Sequence, residues 1–472
     1  MPTAPTSYDT VAYPSMIFHN SRPDALAVIA RLHGLDAPPI ERARMLLVGG
    51  GDGLDVIALA AAFPAAQFVN FDIASQPIAR GRGWSDAAGI ANVRHQLLDI
   101  LDAAVQLDGP FDYIVSHGIY AWVPDRVRAA VMPMIDALLS PEGVAFVSYN
   151  AMPGGHSRLA LRDMMMHHVR HLAEPQERLS AARALLRGFA EPREQDQPIT
   201  AAMRLEAQAA LAQSEGLFFH DIFNEFYAPQ PLLAVVADAE AHGLRYLGDA
   251  RGGGQDKGFV DPARADISEA ALLDRLQAMD YANGRYFRSS LFVRAEAQFS
   301  RTVDPDAARG MWVSTRATHD GDDMFRLGQR TLRVTDRGRA GMLRRLIAQK
   351  PYSVPAAELA AEPDLLAGLC HYALEGIIEL STVPPRFTLA PSDRPVASPL
   401  ARLQARERQT RLCTLSHQWT DIPSDTLIGL IGLLDGTRDR ATLQRHWAGL
   451  PASDMSFDEA LQRLASEALL VA

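Results

Sequence analysis

The chain has 472 residues, 48% of them hydrophobic and 22% charged, with a formal net charge of -10 and a pI of about 5.8. This is globular material enough for about three domains. The acidic balance argues against a general attraction to nucleic-acid backbones. Cys370 and Cys413 make neither a disulfide framework nor a zinc pattern and read as small buried hydrophobes in a reducing compartment.

The first residues lack the basic and apolar blocks of a signal peptide. No apolar run approaches the roughly 20 residues of a membrane span; the best candidate, Val56 to Val69, is broken by Pro64 and Gln67. These features predict a soluble, cytoplasmic protein.

An aromatic and polar arm, Tyr8 to Pro23, leads to a helix from near Asp24 to Leu32, stopped by His33-Gly34. Strands and helices then alternate. Met45 to Val48 is an apolar strand ending in glycines, and Leu54 to Phe63 has helical spacing. Phe68 to Phe71 is a strand ending at Asp72. Ser75 to Ala88 is a helix, with Ser75 suited to its N-cap. Val93 to Leu98, Tyr113 to Val115 and Gly143 to Tyr149 are further strands. Pro124 to Leu139 is a helix with proline in its first turn. The alternation predicts an α/β fold with a parallel sheet and right-handed crossovers.

Residues from about Gly155 to Gln213 read as a helical insertion. Leu244 to Leu247 and Ser290 to Val293 read as the last strands of the same sheet. Two later stretches share a helix-then-strand ending: Leu365 to Glu375 before Gly376 to Leu380, and Phe457 to Glu467 before Ala468 to Val471. A proline-rich linker, Pro384 to Pro399, separates them. The expected divisions are 1–155, a nucleotide-type domain with its arm; 156–235, the insertion; 236–300, the last strands with a regulatory region; and two winged-helix-like α+β units at 301–390 and 391–472.

Gly49, Gly51 and Gly53 form a G-x-G-x-G loop between strand and helix, where backbone amides can approach a ligand. The dinucleotide spacing is absent, because Leu54 stands where it needs glycine, and no Gly-Lys-Ser/Thr tail follows. Asp72 ends the second strand about 20 residues on, where a carboxylate can take a ribose diol, and Asp99 ends the third. His117 follows the fourth. His167-His168 has no carboxylate spacing for a metal, and no metal site is expected.

The chain resembles the class I methyltransferases dependent on S-adenosylmethionine (AdoMet), and more narrowly the bacterial outer-membrane-protein lysine methyltransferases with a methyltransferase regulatory domain. The resemblance rests on Tyr8-Asp9, Tyr13-Pro14-Ser15, His117-Gly118 followed by Trp122-Val123-Pro124, Ser148-Tyr149-Asn150, Tyr286-Phe287-Arg288 and Leu434 to Arg438. It implies that Gly49, Gly51 and Gly53 hold the methionine end of AdoMet, with Asp52 and Ile73 also binding the cofactor. Asp72 would take the ribose, and Asp99 with Ile100 the adenine. His117 and Tyr13 would lie near the cofactor. The helical middle and C-terminal units would shape a protein-substrate cleft or a homodimer contact.

Tyr120, Trp122, Tyr149 and Asn150 are the candidate catalytic groups, with Tyr8 and Asp9 from the arm; aromatic faces can hold an ammonium. The expected reaction is methylation of protein lysines, the substrate being an outer-membrane or surface protein before export. Leu47 stands where the family has an acidic residue, and Asn150-Ala-Met-Pro-Gly-Gly-His156 departs from the family's aromatic run. The alternative reading is therefore a pseudoenzyme or interaction subunit that keeps the fold.

Overall fold

The computed structural model describes residues 6–193, 196–250, 268–359, 363–451 and 454–471. Seven strands form the central sheet: β1 (Arg44–Val48), β2 (Gln67–Asp72), β3 (Val93–Leu97), β4 (Phe111–Ser116), β5 (Leu139–Asn150), β6 (Leu244–Asp249) and β7 (Phe287–Arg294). Their order is β3-β2-β1-β4-β5-β7-β6. β1 to β5 run parallel, and β7 lies antiparallel between β5 and β6.

Successive residues of each strand feed opposite cores. Met45, Leu47, Tyr113 and Val115 pack with the helix Leu54–Ala62 on one face. Leu46, Val48, Ile114 and Val147 pack with the helices Asp125–Leu138 and Leu232–Glu240 on the other. A sheet covered on both faces needs near-continuous apolar strands, and these have them.

The helical middle consists of Gly155–Val169, Pro175–Phe189 and Pro198–Leu211, closed around a core of their own. The two strands predicted after it do complete the sheet. Past β7, Trp312–Ser314 pairs with Val354–Pro355 and Glu379–Ser381, while the last unit holds the strands Arg411–Cys413 and Trp419–Asp421.

Three local expectations change. Ala74, not Ser75, is the N-cap of Ser75–Ala88, and the Ser75 hydroxyl donates to Asp9 instead. Pro124 sits at the N-cap rather than within the first turn. Ala468 to Val471 makes isolated bridges to Ala397 and Phe387 rather than a strand, since its apolar residues are drawn into the domain core.

Candidate functional site

Register fixes the site. Val48 pairs with Phe71 on one side and Ser116 on the other, and Asp72 pairs with Leu97. The residues that follow these positions, Gly49, Ile73 and His117, therefore emerge side by side at the carboxyl edge of the sheet, where open α/β folds bind ligands. A cavity of about 1150 Å³ opens along this edge. Gly49, Gly51, Asp52, Asp72 and Ile73 line it, as do Asp99, Ile100 and His117. Tyr13, Trp122 and Asn150 line it from the arm side and the far side.

The glycine loop is built from inside. Gly49, Gly51 and Gly53 all hold positive φ, +60°, +56° and +69°. The carboxylate of Asp72 accepts from the Gly51 amide at 2.8 Å and the Ala74 amide at 2.8 Å. Asn70 on β2 donates from its side chain to the Gly51 carbonyl at 3.0 Å. This bond braces the loop from β2, while Leu47 packs in the apolar core. A Cβ on Gly51 would meet nothing within 4 Å, so that face of the loop is open.

Several carboxylates here serve the chain first. Asp52 accepts from Ser15 at 2.5 Å, from Arg80 at 3.0 and 3.2 Å, and from the Leu54 amide at 3.2 Å, which ties the loop to the arm and to the helix Ser75–Ala88. Asp99 caps the helix Ile100–Gln106 through the Leu101 amide at 3.0 Å while still lining the cavity. Burial pushes the Asp72 carboxyl upward against the two amide bonds that lower it.

His117 stands between Phe18 of the arm, its ring centroid 3.9 Å away, and Ser148, whose hydroxyl lies 2.8 Å from Nδ1. Burial lowers its pKa to about 4, so it is a neutral imidazole near pH 7. Asn150 closes β5; its Oδ1 is buried and meets no donor among the described residues. An orphaned acceptor on the cavity wall, an open glycine face and a strand-end carboxylate suit a ligand that brings its own N–H and O–H donors, as AdoMet does.

The structure corrects three assignments by place. Gly53 is not in the lining: it is the helix N-cap, and a Cβ there would meet Asn70 at 2.7 Å and His95 at 2.9 Å. Tyr120 is buried, and its hydroxyl donates to Asp238 at 2.5 Å. Tyr149 is fully buried with its hydroxyl 3.1 Å from Ser290. Both tyrosines point into the core that joins the sheet to its helices. Asp9 is likewise occupied, accepting from the Gln76 amide at 2.8 Å and so pinning the arm.

Sequence reasoning missed the opposite wall. A single π turn, Phe218–Ile222, is closed by the Phe223 amide on the Phe218 carbonyl at 2.9 Å. It sends Phe218 and Ile222 into the helical core, while Phe219, His220 and Asp221 line the cavity. Tyr8 stacks on His220 with centroids 4.0 Å apart. The Tyr13 hydroxyl donates to Asp221 Oδ2 at 3.3 Å. The one available signal was the aromatic cluster Phe218-Phe219-His220 with Asp221, unlike the Ala-rich helices before it.

Residues 46–145 match the family described as a methyltransferase domain, and residues 214–294 a predicted methyltransferase regulatory domain. Residues 393–470 match the C-terminal winged-helix domain of the PKMT family. The second segment contains β6 and β7 as well as Asp221, so it completes both the sheet and the cavity wall. The chain is 34% identical over 220 residues to the Rickettsia prowazekii protein RP028, covering 46% of this chain and 88% of that one. It is 28% identical over 302 residues to RP789 of the same organism, covering 63% of this chain and 54% of that longer one. The solved structure of PKMT2 from Rickettsia typhi in complex with AdoHcy superposes with a TM-score of 0.80 at 23% identity, covering 98% of this chain and 100% of that chain.

Proposed function

Because the chain belongs to the class I AdoMet-dependent methyltransferases, with a methyltransferase regulatory segment and a PKMT-type winged-helix domain, we propose that it methylates lysine side chains of a protein substrate. The observation that carries this reading is the aromatic part of the cavity wall. Trp122, Phe219, Phe223, Phe226 and Asp221 line the same cavity as the sheet-edge residues. An aromatic wall with a carboxylate suits the apolar stem and cationic head of a lysine.

The bound cofactor supplies an electrophilic methyl group on a sulfonium. The chain's own residues hold, orient and desolvate. Asp72 and Ile73 would hold the ribose, Asp99 and Ile100 the adenine, and Gly49, Gly51 and Asp52 the methionine end. Asn150 Oδ1 is free to accept from an amine, and Tyr13 and Phe18 cover the site from the arm. Alignment of a nucleophile with the methyl group supplies up to roughly 7–11 kcal/mol in well-oriented models. The proposal keeps a cytoplasmic setting and an outer-membrane or surface protein met before export. Among the described residues no helix is long and apolar enough to cross a membrane.

Transfer from isotopically labelled AdoMet to bacterial protein extract, read by peptide mass spectrometry, tests the reading. Label on lysine side chains is expected. AdoMet binding with no label on any protein would favour the interaction subunit instead. Label confined to RNA would favour a second kinship, since 113 residues are 30% identical to a tRNA 5-carboxymethoxyuridine methyltransferase of Escherichia coli, 42% of that protein's length.

A further inference from the structure

We propose that Asp221 takes the proton from the substrate ammonium and that the Tyr13 hydroxyl positions it for this task; the proposal rests on the lysine reading above. A lysine amine has a pKa of about 10.4 and is protonated near neutral pH, so it has no lone pair to offer until a group in the site accepts that proton.

The other acids on the cavity wall are bonded to the chain through one or both oxygens, or exposed. Both oxygens of Asp52 and both of Asp72 accept bonds from the chain. Asp55 is held by the Phe18 amide at 2.7 Å and by His417 at 2.8 Å. Asp99 caps a helix beyond the outer strand β3, and Glu225 is exposed to solvent. Among these acids Asp221 alone combines partial burial, a bond from an arm tyrosine, a place between Phe219 and Phe223 on the cavity wall and an oxygen, Oδ1, that takes no hydrogen bond among the described residues.

Its surroundings are those of a base near neutrality. The arm brings Tyr8 and Tyr13, whose hydroxyls burial keeps protonated. The helix Gly155–Val169 brings Arg158, which donates to the Asp221 backbone carbonyl at 3.3 Å and is itself held by Glu206 of Pro198–Leu211 at 2.6 Å. His220, on the same turn, bonds the Val11 carbonyl through Nε2 at 2.7 Å. Burial raises the Asp221 carboxyl to about 6 against the opposing pull of Arg158 and the Tyr13 bond.

The step balances within the site. One N–H bond of the ammonium breaks and an O–H bond forms on Asp221. The freed lone pair forms the nitrogen–carbon bond as the carbon–sulfur bond breaks, its electrons remaining on sulfur. The products are a methylammonium, a neutral thioether and a carboxylic acid that returns its proton to water.

The test compares wild type, Asp221→Asn and Asp221→Glu on a peptide whose lysine the wild type labels in bacterial extract. AdoHcy affinity is measured in parallel by calorimetry. Expected for Asp221→Asn is unchanged AdoHcy affinity with kcat/KM down by about 10²-fold or more near neutral pH. The deficit should shrink as pH approaches about 10, where lysine loses its proton unaided. The wild-type break in kcat/KM at a pH of about 6 should be absent in Asp221→Asn, whose kcat/KM falls steadily with pH from about 10 downward, and kept in Asp221→Glu. A lysine label with wild-type kinetics in Asp221→Asn, or a deficit equal at every pH, would overturn the proposal alone. So would lost AdoHcy binding, which would move Asp221 into the cofactor site. A wild type that labels no lysine would overturn the lysine reading and this proposal together.

Discussion

Asp72 carries two kinds of load at one atom group: its carboxylate receives the Gly51 and Ala74 amides and faces the cavity. Hydrogen bonds to a charged group contribute about 1.5–3 kcal/mol, so Asp72→Ala should weaken AdoMet binding by roughly 10- to 100-fold, as read by calorimetry. The loop glycines should respond unequally. Gly51→Ala forces a side chain into positive φ but meets no neighbour, so it should cost about 1–2 kcal/mol together with cofactor affinity. Gly50→Ala would drive a Cβ to 2.3 Å from Asn70 and 2.4 Å from Leu47, so chemical denaturation should show a further overpacking loss of about 1–3 kcal/mol. Residues at strand ends were legible because strand, turn and helix signals place them on one edge. Asn70, Arg80 and Asp221 were not, because each reaches the site from another element, with no spacing rule to announce it.

Helices and strands were largely legible from periodicity, while their partners were not. Arg288 belongs to a motif that marked the family resemblance, and its role is structural. Its guanidinium is fully buried on β7, bonded to Asp280 at 2.7 and 2.8 Å and paired with Asp249. Arg288→Met would strip two hydrogen bonds from buried Asp280 and leave it Arg285 at 3.2 Å as its cation, so unfolding in urea should show a loss of about 1–3 kcal/mol. The buried imidazoles set a pH signature. His95 and His117 are both held down to about 4 by burial first. The unfolded chain takes protons on them near pH 6.5 that the folded chain refuses, so stability is full above about 6.5 and falls toward pH 4. Each contributes roughly 3 kcal/mol. The raised Asp221 carboxyl works in the opposite sense between about 4 and 6. Urea midpoints across this range should fall with pH in the wild type and fall less steeply in His95→Gln.

At the scale of the whole molecule, the last unit and the catalytic sheet share one core. Leu400, Cys413, Leu415 and Ala468 belong to the same buried cluster as Val56, Ile57 and Leu59 of the glycine-loop helix. A polar chain runs alongside: Glu379 to His19 at 2.8 Å, His19 to the His417 carbonyl at 3.3 Å, and His417 to Asp55 at 2.8 Å. The helix-then-strand endings pointed to separate units, but sequence patterning does not reveal which surfaces such units bury. The central claim is that the carboxyl edge of β1 to β4 holds AdoMet and that Asp72 anchors it. Calorimetric titration of AdoMet into the purified full chain and its Asp72→Ala variant tests this most directly. Saturable one-site binding in the wild type, weakened in the variant, is the predicted result; absence of binding in the wild type at about millimolar ligand, the weak limit of useful affinity, or equal affinity in the two proteins would contradict it.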